Sequence, residues 1–210
     1  MRPLTFSRRG LPRVPTQLPG VADLQAARSQ VPRWALALPV LVVVAVTAGA
    51  VIMITIGRSS QTVSVSAGVA RVGEPAPNFS SWDLNGKKVS LSDFKGRPVL
   101  LTFWATWCTA CREELPALQG IQDHYQSTGF TILAINYRET DNRRLIQYLS
   151  GLHVNLKAVI DPEGTIATAY GVTIGLPVNV LLDRAGTVVQ VILGEVPSVT
   201  LESAISRIVK

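Results

Sequence analysis

The chain has 210 residues, a length that suits one ordinary domain with an accessory segment. Its formal net charge of +6 is confined to the N-terminal part, because residues 59–210 carry 13 basic and 13 acidic side chains. The C-terminal part therefore lacks the basic excess that binding to phosphates requires, and we expect no nucleic-acid partner.

The N-terminal part has the pattern of a membrane anchor. Residues 1–33 combine five prolines and six arginines with little apolar periodicity, which is typical of a disordered tail. Residues 34–57 are uncharged, and their apolar run is long enough to cross a bilayer core. The positive-inside rule places the tail in the cytoplasm and the rest of the chain outside it. The sequence thus predicts a single-pass protein of the cell membrane.

A cleaved signal peptide is the alternative for this region. The small residues Ala48-Gly49-Ala50 would then form the cleavage site. The chain stays apolar beyond them as far as Ile56, whereas a cleavage site normally opens into a polar stretch. We therefore expect the apolar segment to be retained as an anchor.

The remainder divides into a linker and a domain. Residues 58–71 are small and polar, as in a flexible spacer. Residues 72–210 show strand and helix patterns in the order β-β-β-α-β-α-β-α-β-β-α. This order predicts an α/β fold, in which helices flank a central mixed β-sheet.

Turn and periodicity signals locate the elements of the domain. The Asn85-Gly86 pair predicts a tight turn between two short strands. The uninterrupted apolar run Val99–Ala105 predicts a buried central strand. Further predicted elements are a helix over about Cys108–Ser127 interrupted at Pro116, strand Phe130–Asn136, a helix capped by Asp141, strand Leu156–Ile160, a short helix ending at Tyr170, strands Val178–Leu182 and Val188–Leu193, and a final helix capped by Ser198.

The only two cysteines, Cys108 and Cys111, lie where the central strand meets the first helix. Free backbone N–H groups and the helix dipole at this junction lower a thiol pKa and favour reversible disulfide chemistry. We expect Cys108 to attack and Cys111, one helical turn later, to resolve the bound substrate. A static disulfide is the alternative, but such a short loop gains little stability from its closure.

Three motifs carry a resemblance to a known family: Val72-Gly-x-Pro-Ala-Pro-x-Phe79, Asp83-Leu-x-Gly-Lys87 with the following Val89–Pro98, and Phe103-Trp-Ala-Thr-Trp-Cys-x-x-Cys111. They resemble the membrane-anchored TlpA/ResA-type oxidoreductases of the AhpC/TSA–thioredoxin superfamily. The resemblance implies a thioredoxin-like fold, extracytoplasmic thiol-disulfide reductase activity and an association with cytochrome c maturation.

The resemblance also implies roles for residues around the cysteines. It makes Trp107 a partly exposed cover beside the disulfide, and Pro177 a cis-proline that lies against the dithiol. The Leu176 backbone would then pair with an extended substrate segment. Glu114 matches an acidic residue that would accept the proton of the Cys111 thiol. A solvated helix carboxylate is the alternative for Glu114.

The chain departs from thioredoxin itself at several positions. Thr102 stands where thioredoxin has a buried Asp, so no carboxylate can act as a base there. Thr109-Ala110 replaces the Gly-Pro between the cysteines, and Leu176 replaces a commoner polar residue. His124 and His153 are interpreted as surface or boundary residues distant from the cysteines.

The predicted function is thiol-disulfide exchange with protein substrates, with apocytochrome c as a candidate. A reductase of this kind implies an integral-membrane electron donor of the DsbD/CcdA type. We expect no cofactor and no metal. Two rivals remain: an antioxidant thiol peroxidase, although Ala105 replaces the Thr or Ser that its chemistry requires three residues before the cysteine, and a non-catalytic metallochaperone or assembly module.

Overall fold

The computed structural model describes residues 62–66 and 68–209. The predicted tail and membrane helix, residues 1–57, lie outside this part of the chain. Within the part that is described, no helix is both long and apolar enough to cross a bilayer.

Eight strands are present in the described residues: β1 (Ser64–Val65), β2 (Phe79–Trp82), β3 (Lys88–Ser90), β4 (Val99–Trp104), β5 (Thr131–Tyr137), β6 (Lys157–Asp161), β7 (Val178–Leu182) and β8 (Val188–Leu193). The last five form one mixed sheet in the order β6-β5-β4-β7-β8. Strands β4, β5 and β6 are parallel, whereas β7 and β8 are antiparallel to their neighbours. All six residues of β4 are buried, as its continuous apolar pattern predicts.

The α-helices of the described residues are α1 (Thr109–Tyr125), α2 (Asn142–Gly151), α3 (Thr165–Ala169) and α4 (Ser198–Ile208). The Asp141 carboxylate accepts a hydrogen bond from the Arg144 N–H at 3.1 Å, which confirms the predicted cap of α2. The predicted cap of α4 is wrong by one residue, because Pro197 is the N-cap and Ser198 the first helical residue.

Helix α1 continues through Pro116, so the predicted interruption is wrong. Proline removes one backbone hydrogen bond and normally disfavours a helix interior. The apolar face of α1 offsets this cost, since Leu115, Leu118 and Ile121 are fully buried against the sheet.

The two faces of the central sheet bury separate hydrophobic clusters. Helices α1, α2 and α4 cover one face, and this cluster includes both cysteines. Helix α3 and a small antiparallel sheet, in the order β1-β2-β3, cover the other face. The predicted mixed sheet with flanking helices is confirmed, but strands share one of its faces with a helix.

Strand β1 lies inside the segment predicted to be a linker, residues 58–71. Its Val65 pairs with Phe79 of β2, and both Val63 and Val65 pack against the hydrophobic cluster beneath. Alternating valines therefore attach this segment to the domain, because a short strand with one apolar face gains stability from burial. Part of the predicted linker is therefore a strand that packs on the domain.

Candidate redox-active site

Cys108 stands at the junction that the sequence predicts. Strand β4 ends at Trp104, and Cys108 is the N-cap of α1. The connection is tight, since the Cys108 N–H donates to the Ala105 carbonyl at 3.2 Å. The first cysteine therefore faces the free N–H groups at the beginning of a 17-residue helix.

Cys108 and Cys111 are joined as a disulfide with an S–S distance of 2.07 Å. The Cys111 N–H lies 3.1 Å from the Cys108 Sγ and donates to it. Both residues are buried, Cys108 at 6% exposure and Cys111 at 1%, so Cys108 is the more accessible of the two. After reduction, the same N–H would stabilise a thiolate on Cys108.

The loop in front of Cys108 is held by Glu139, which the sequence analysis did not identify. Its carboxylate accepts hydrogen bonds from the Thr106 N–H at 2.8 Å and from the Thr106 hydroxyl. A third donor, the Asn136 side-chain amide, lies 2.9 Å from Glu139 Oε2. Asn136 could have been noticed in the sequence, because it is a polar residue within an apolar strand. Glu139 lies in a loop, and nothing in the sequence pattern distinguishes it.

A second loop approaches the disulfide through Leu176 and Pro177. The Leu176–Pro177 peptide bond is cis, as predicted. Leu176 and Trp107 both line a cavity of about 200 Å³ at this edge, and Trp107 is 64% exposed. No backbone hydrogen bond joins Leu176 to another described residue. Its peptide groups are thus free to pair with an extended segment.

Glu114 is buried, not solvated as the alternative interpretation had it. It lies on the inward face of α1, with 5% exposure, and its Oε1 accepts a hydrogen bond from Asn179 Nδ2 at 2.8 Å. Burial raises the pKa of Glu114 from 4.5 to about 7. The Asn179 hydrogen bond opposes this rise, and the negative charge of Glu195 adds to it.

Polar atoms continue inward from Glu114. Asn179 on β7 is directly opposite Thr102 on β4, and both side chains are fully buried. The Asn179 Oδ1 and the Thr102 Oγ1 have no hydrogen-bond partner among the described residues. Thr102 therefore adds a hydroxyl, but no carboxylate, to the protein interior beneath the cysteines. The signal for Asn179 in the sequence is its polarity within an apolar strand.

Four further side chains lie on β4, on α1 or after α2, and the two histidines among them are exposed, as predicted. Trp104 is fully buried and stacks on Tyr148, whereas Glu113 is exposed. His124 lies in the last turn of α1 and His153 in the loop after α2. The described residues contain no group of three or more His, Cys, Asp and Glu side chains that could hold a metal ion.

Comparison with known proteins shows which family the chain resembles in sequence. Residues 72–191 match the AhpC/TSA family. The chain is 39% identical over 137 residues to the thiol-disulfide oxidoreductase ResA of Bacillus thuringiensis subsp. konkukian, covering 65% of this chain and 78% of that protein. It is 38% identical over 122 residues to ResA of Bacillus subtilis, covering 58% and 67% respectively.

Solved structures show the same likeness. A candidate thiol:disulfide interchange protein DsbE from Chlorobium tepidum superimposes with a TM-score of 0.63 at 31% identity, covering 67% of this chain and 99% of that one. This similarity supports the thioredoxin-like fold with a central mixed sheet.

Proposed function

Because the chain belongs to the AhpC/TSA family, we propose that its thiol-disulfide oxidoreductase activity works mainly as an extracytoplasmic reductase of protein disulfides. One observation carries this proposal. The Cys108–Cys111 disulfide lies at a helix N-terminus, next to the exposed Trp107. Trp107 shares a cavity with Leu176, whose peptide groups have no backbone partner among the described residues. This arrangement combines an activated sulfur with a place for a polypeptide substrate.

The exchange follows from the order of the two cysteines. In the reduced enzyme, the Cys108 thiolate attacks a substrate disulfide, forms a mixed disulfide and releases one substrate thiolate. Cys111 then loses its proton, and its thiolate attacks the Cys108 Sγ. The second substrate thiolate leaves, the enzyme disulfide closes, and two electrons have passed to the substrate.

Glu114 is suited to receive the proton of Cys111. It lies one helical turn beyond Cys111 on α1, and both side chains are buried. A carboxyl group with a pKa of about 7 is ionised often enough to accept a proton and neutral often enough to return it near neutral pH. Glu114 is therefore our candidate proton acceptor.

Substrate binding is assigned to Trp107, Leu176 and Pro177. The unpaired peptide groups of Leu176 would hydrogen-bond to an extended substrate chain, and Trp107 would cover its apolar side chains. Apocytochrome c is the candidate substrate, in line with the TlpA/ResA resemblance.

Each turnover leaves the enzyme oxidised, so a reductase needs an electron supply. We assign this role to an integral-membrane donor of the DsbD/CcdA type, which would reach the domain from the membrane. The apolar segment at residues 34–57 would hold the domain at that surface, with its N-terminus in the cytoplasm. A reporter that is active only outside the cytoplasm should be active when it is fused after residue 60, and a reporter that is active only in the cytoplasm should not. A mature protein that begins near residue 51 would contradict the retained anchor.

Single substitutions at the two cysteines test the reaction. Cys108→Ser in the full chain should abolish the reduction of an exposed protein disulfide, followed by turbidity, while the fold remains. Cys111→Ser should instead accumulate mixed disulfides, visible on non-reducing gels, because the resolving thiol is gone. Activity retained in Cys108→Ser would overturn the assignment, and rapid peroxide consumption by the reduced wild type would favour the peroxidase alternative.

A further inference from the structure

A small cavity opens beside Glu114, and Asn179 is not among the residues that line it. Its volume is about 150 Å³, and it lies between the middle of α1 and the start of α4 with the segment that leads into it. Three carboxylates line it, those of Glu113, Glu114 and Glu195. Only Glu114 is buried, so the cavity connects a buried carboxyl group with two exposed ones.

The groups around Glu114 have different electrostatic effects on its carboxyl group. Asn179 on β7 donates a hydrogen bond that favours the carboxylate. The N-terminus of α4, at Ser198, also favours negative charge. Glu195, from the segment before α4, opposes both, because a second negative charge favours the neutral form of Glu114. Glu113 also lines the cavity, but it is exposed and is not among the groups that raise the pKa of Glu114.

We infer that Glu195, from the solvent side of this cavity, shifts upward the pH range over which Glu114 takes up and releases the proton of the Cys111 thiol. Glu195 touches neither substrate nor sulfur, so it is a positioning residue that acts through Glu114. The inference rests on the proposed role of Glu114 as proton acceptor. No sequence motif singles out Glu195, and only its place at the cavity does so.

The proton balance of this step is simple. The Cys111 thiol gives its proton to the Glu114 carboxylate, and the Cys111 thiolate then attacks the mixed disulfide. The neutral Glu114 returns the proton to water at the cavity. When Glu195 is charged, Glu114 holds its proton to higher pH, so the transfer from Cys111 is favourable over a higher pH range.

A charge series at position 195 of the full chain tests the inference. The ¹³C shift of the Glu114 carboxyl, assigned by its loss in Glu114→Gln, would be followed against pH in the oxidised protein. Glu195→Gln should lower the midpoint by about half a pH unit, and Glu195→Lys should lower it by about one unit. Glu195→Asp keeps the negative charge, so its midpoint should stay close to that of the wild type. A merely structural role would not give this order.

A second measurement connects the titration to the thiol. In a Cys108→Ser background, the pH profile of Cys111 alkylation should shift in the same order as the carboxyl midpoint. Glu195→Gln should cause no further shift once Glu114 is Gln. The matched control is Glu113→Gln, which removes a neighbouring carboxylate and should leave both profiles unchanged within error.

The two proposals fail in different ways. If the Glu114 midpoint is the same in all Glu195 variants while Glu114→Gln still shifts alkylation, Glu195 has no such role and the function proposed for Glu114 stands. If Glu114→Gln itself leaves the alkylation profile unchanged, the proton-acceptor role is wrong and the inference built on it is wrong too.

Discussion

Two carboxylates serve the two sides of the central strand β4, and their surroundings differ. On the β5 side, Glu139 is half-buried and accepts three hydrogen bonds, two of them from Thr106 in the loop before Cys108. On the β7 side, Glu114 is buried and accepts one, from Asn179. The number of donors and the degree of burial separate an anchoring carboxylate from one that can exchange a proton.

The difference has a clear physical origin. Three donors compensate a half-buried carboxylate for lost hydration and fix the position of the loop that carries the nucleophile. One donor does not compensate a buried carboxylate, so the pKa of Glu114 rises to about 7. The site thus uses two glutamates in different ways: Glu139 fixes the loop that carries the nucleophile, and Glu114 can exchange a proton.

The largest effect is expected when the anchor is removed. Glu139→Ala should destabilise the fold by about 2 kcal/mol, because charge-assisted hydrogen bonds to Thr106 are lost. Disulfide-reductase activity should fall at least roughly ten-fold, because displacement of the Cys108 loop need raise the activation free energy by only about 1.4 kcal/mol for that. Urea unfolding at pH 7 and turbidimetric assays measure the two quantities. Glu139→Gln retains a hydrogen-bond acceptor, so its stability and activity should lie between those of the wild type and Glu139→Ala. Full activity in Glu139→Ala would refute the anchoring role.

The second prediction concerns the buried carboxylate. Because the pKa of Glu114 is raised from 4.5 to about 7, its neutral form favours folding below pH 4.5, and this contribution is lost as pH rises through 7. Glu114→Gln should therefore be nearly neutral at pH 4 and stabilising by roughly 2 kcal/mol at pH 9. Its thiol reactivity profile should also shift by about one unit. Chemical denaturation at both pH values checks the sign, and equal effects at pH 4 and 9 would contradict it.

A smaller effect is expected at the single donor to Glu114. Asn179→Leu keeps a similar shape but removes the hydrogen bond to the carboxylate, so the pKa of Glu114 should rise further. The cost in stability should be about 1 kcal/mol at pH 9 and close to zero at pH 4, where Glu114 is neutral. Repeating the substitution in a Glu114→Gln background is the control, and there the pH dependence should vanish.

The smallest effect on the fold is expected at the exposed edge. Trp107 is 64% exposed, so Trp107→Ala should change stability by no more than about 0.5 kcal/mol. Lost contact with the substrate chain should raise KM for a protein disulfide several-fold, with kcat for a small disulfide unchanged. An equal loss with large and small disulfides would place Trp107 in the chemistry and not in substrate binding.

Local patterns were sufficient for most of the architecture. The apolar run before Cys108, the Cys-x-x-Cys spacing and the Asn85-Gly86 turn each depend on neighbours in sequence, and the structure agrees with them. The membrane segment at residues 34–57 also follows from composition alone and stays a prediction. Strand β1 was missed, because a short valine-containing stretch becomes a strand only when β2 is present to pair with it.

Only the tertiary structure determines which hydrogen-bond partners each polar side chain has and how deeply it is buried. The family resemblance marks Glu114 in the sequence, but its burial and its hydrogen bond from Asn179, 65 residues away, are visible only in the fold. Thr106 lies in the active-site motif, but its partner Glu139 is 33 residues away and lies in no recognisable motif. Hydrogen bonds and desolvation depend on which atoms come within a few ångströms, and local propensity contains no information about that distance. The two cysteines and Glu114 could therefore be identified from the sequence, whereas Glu139, Asn179 and Glu195 could be identified only from the fold.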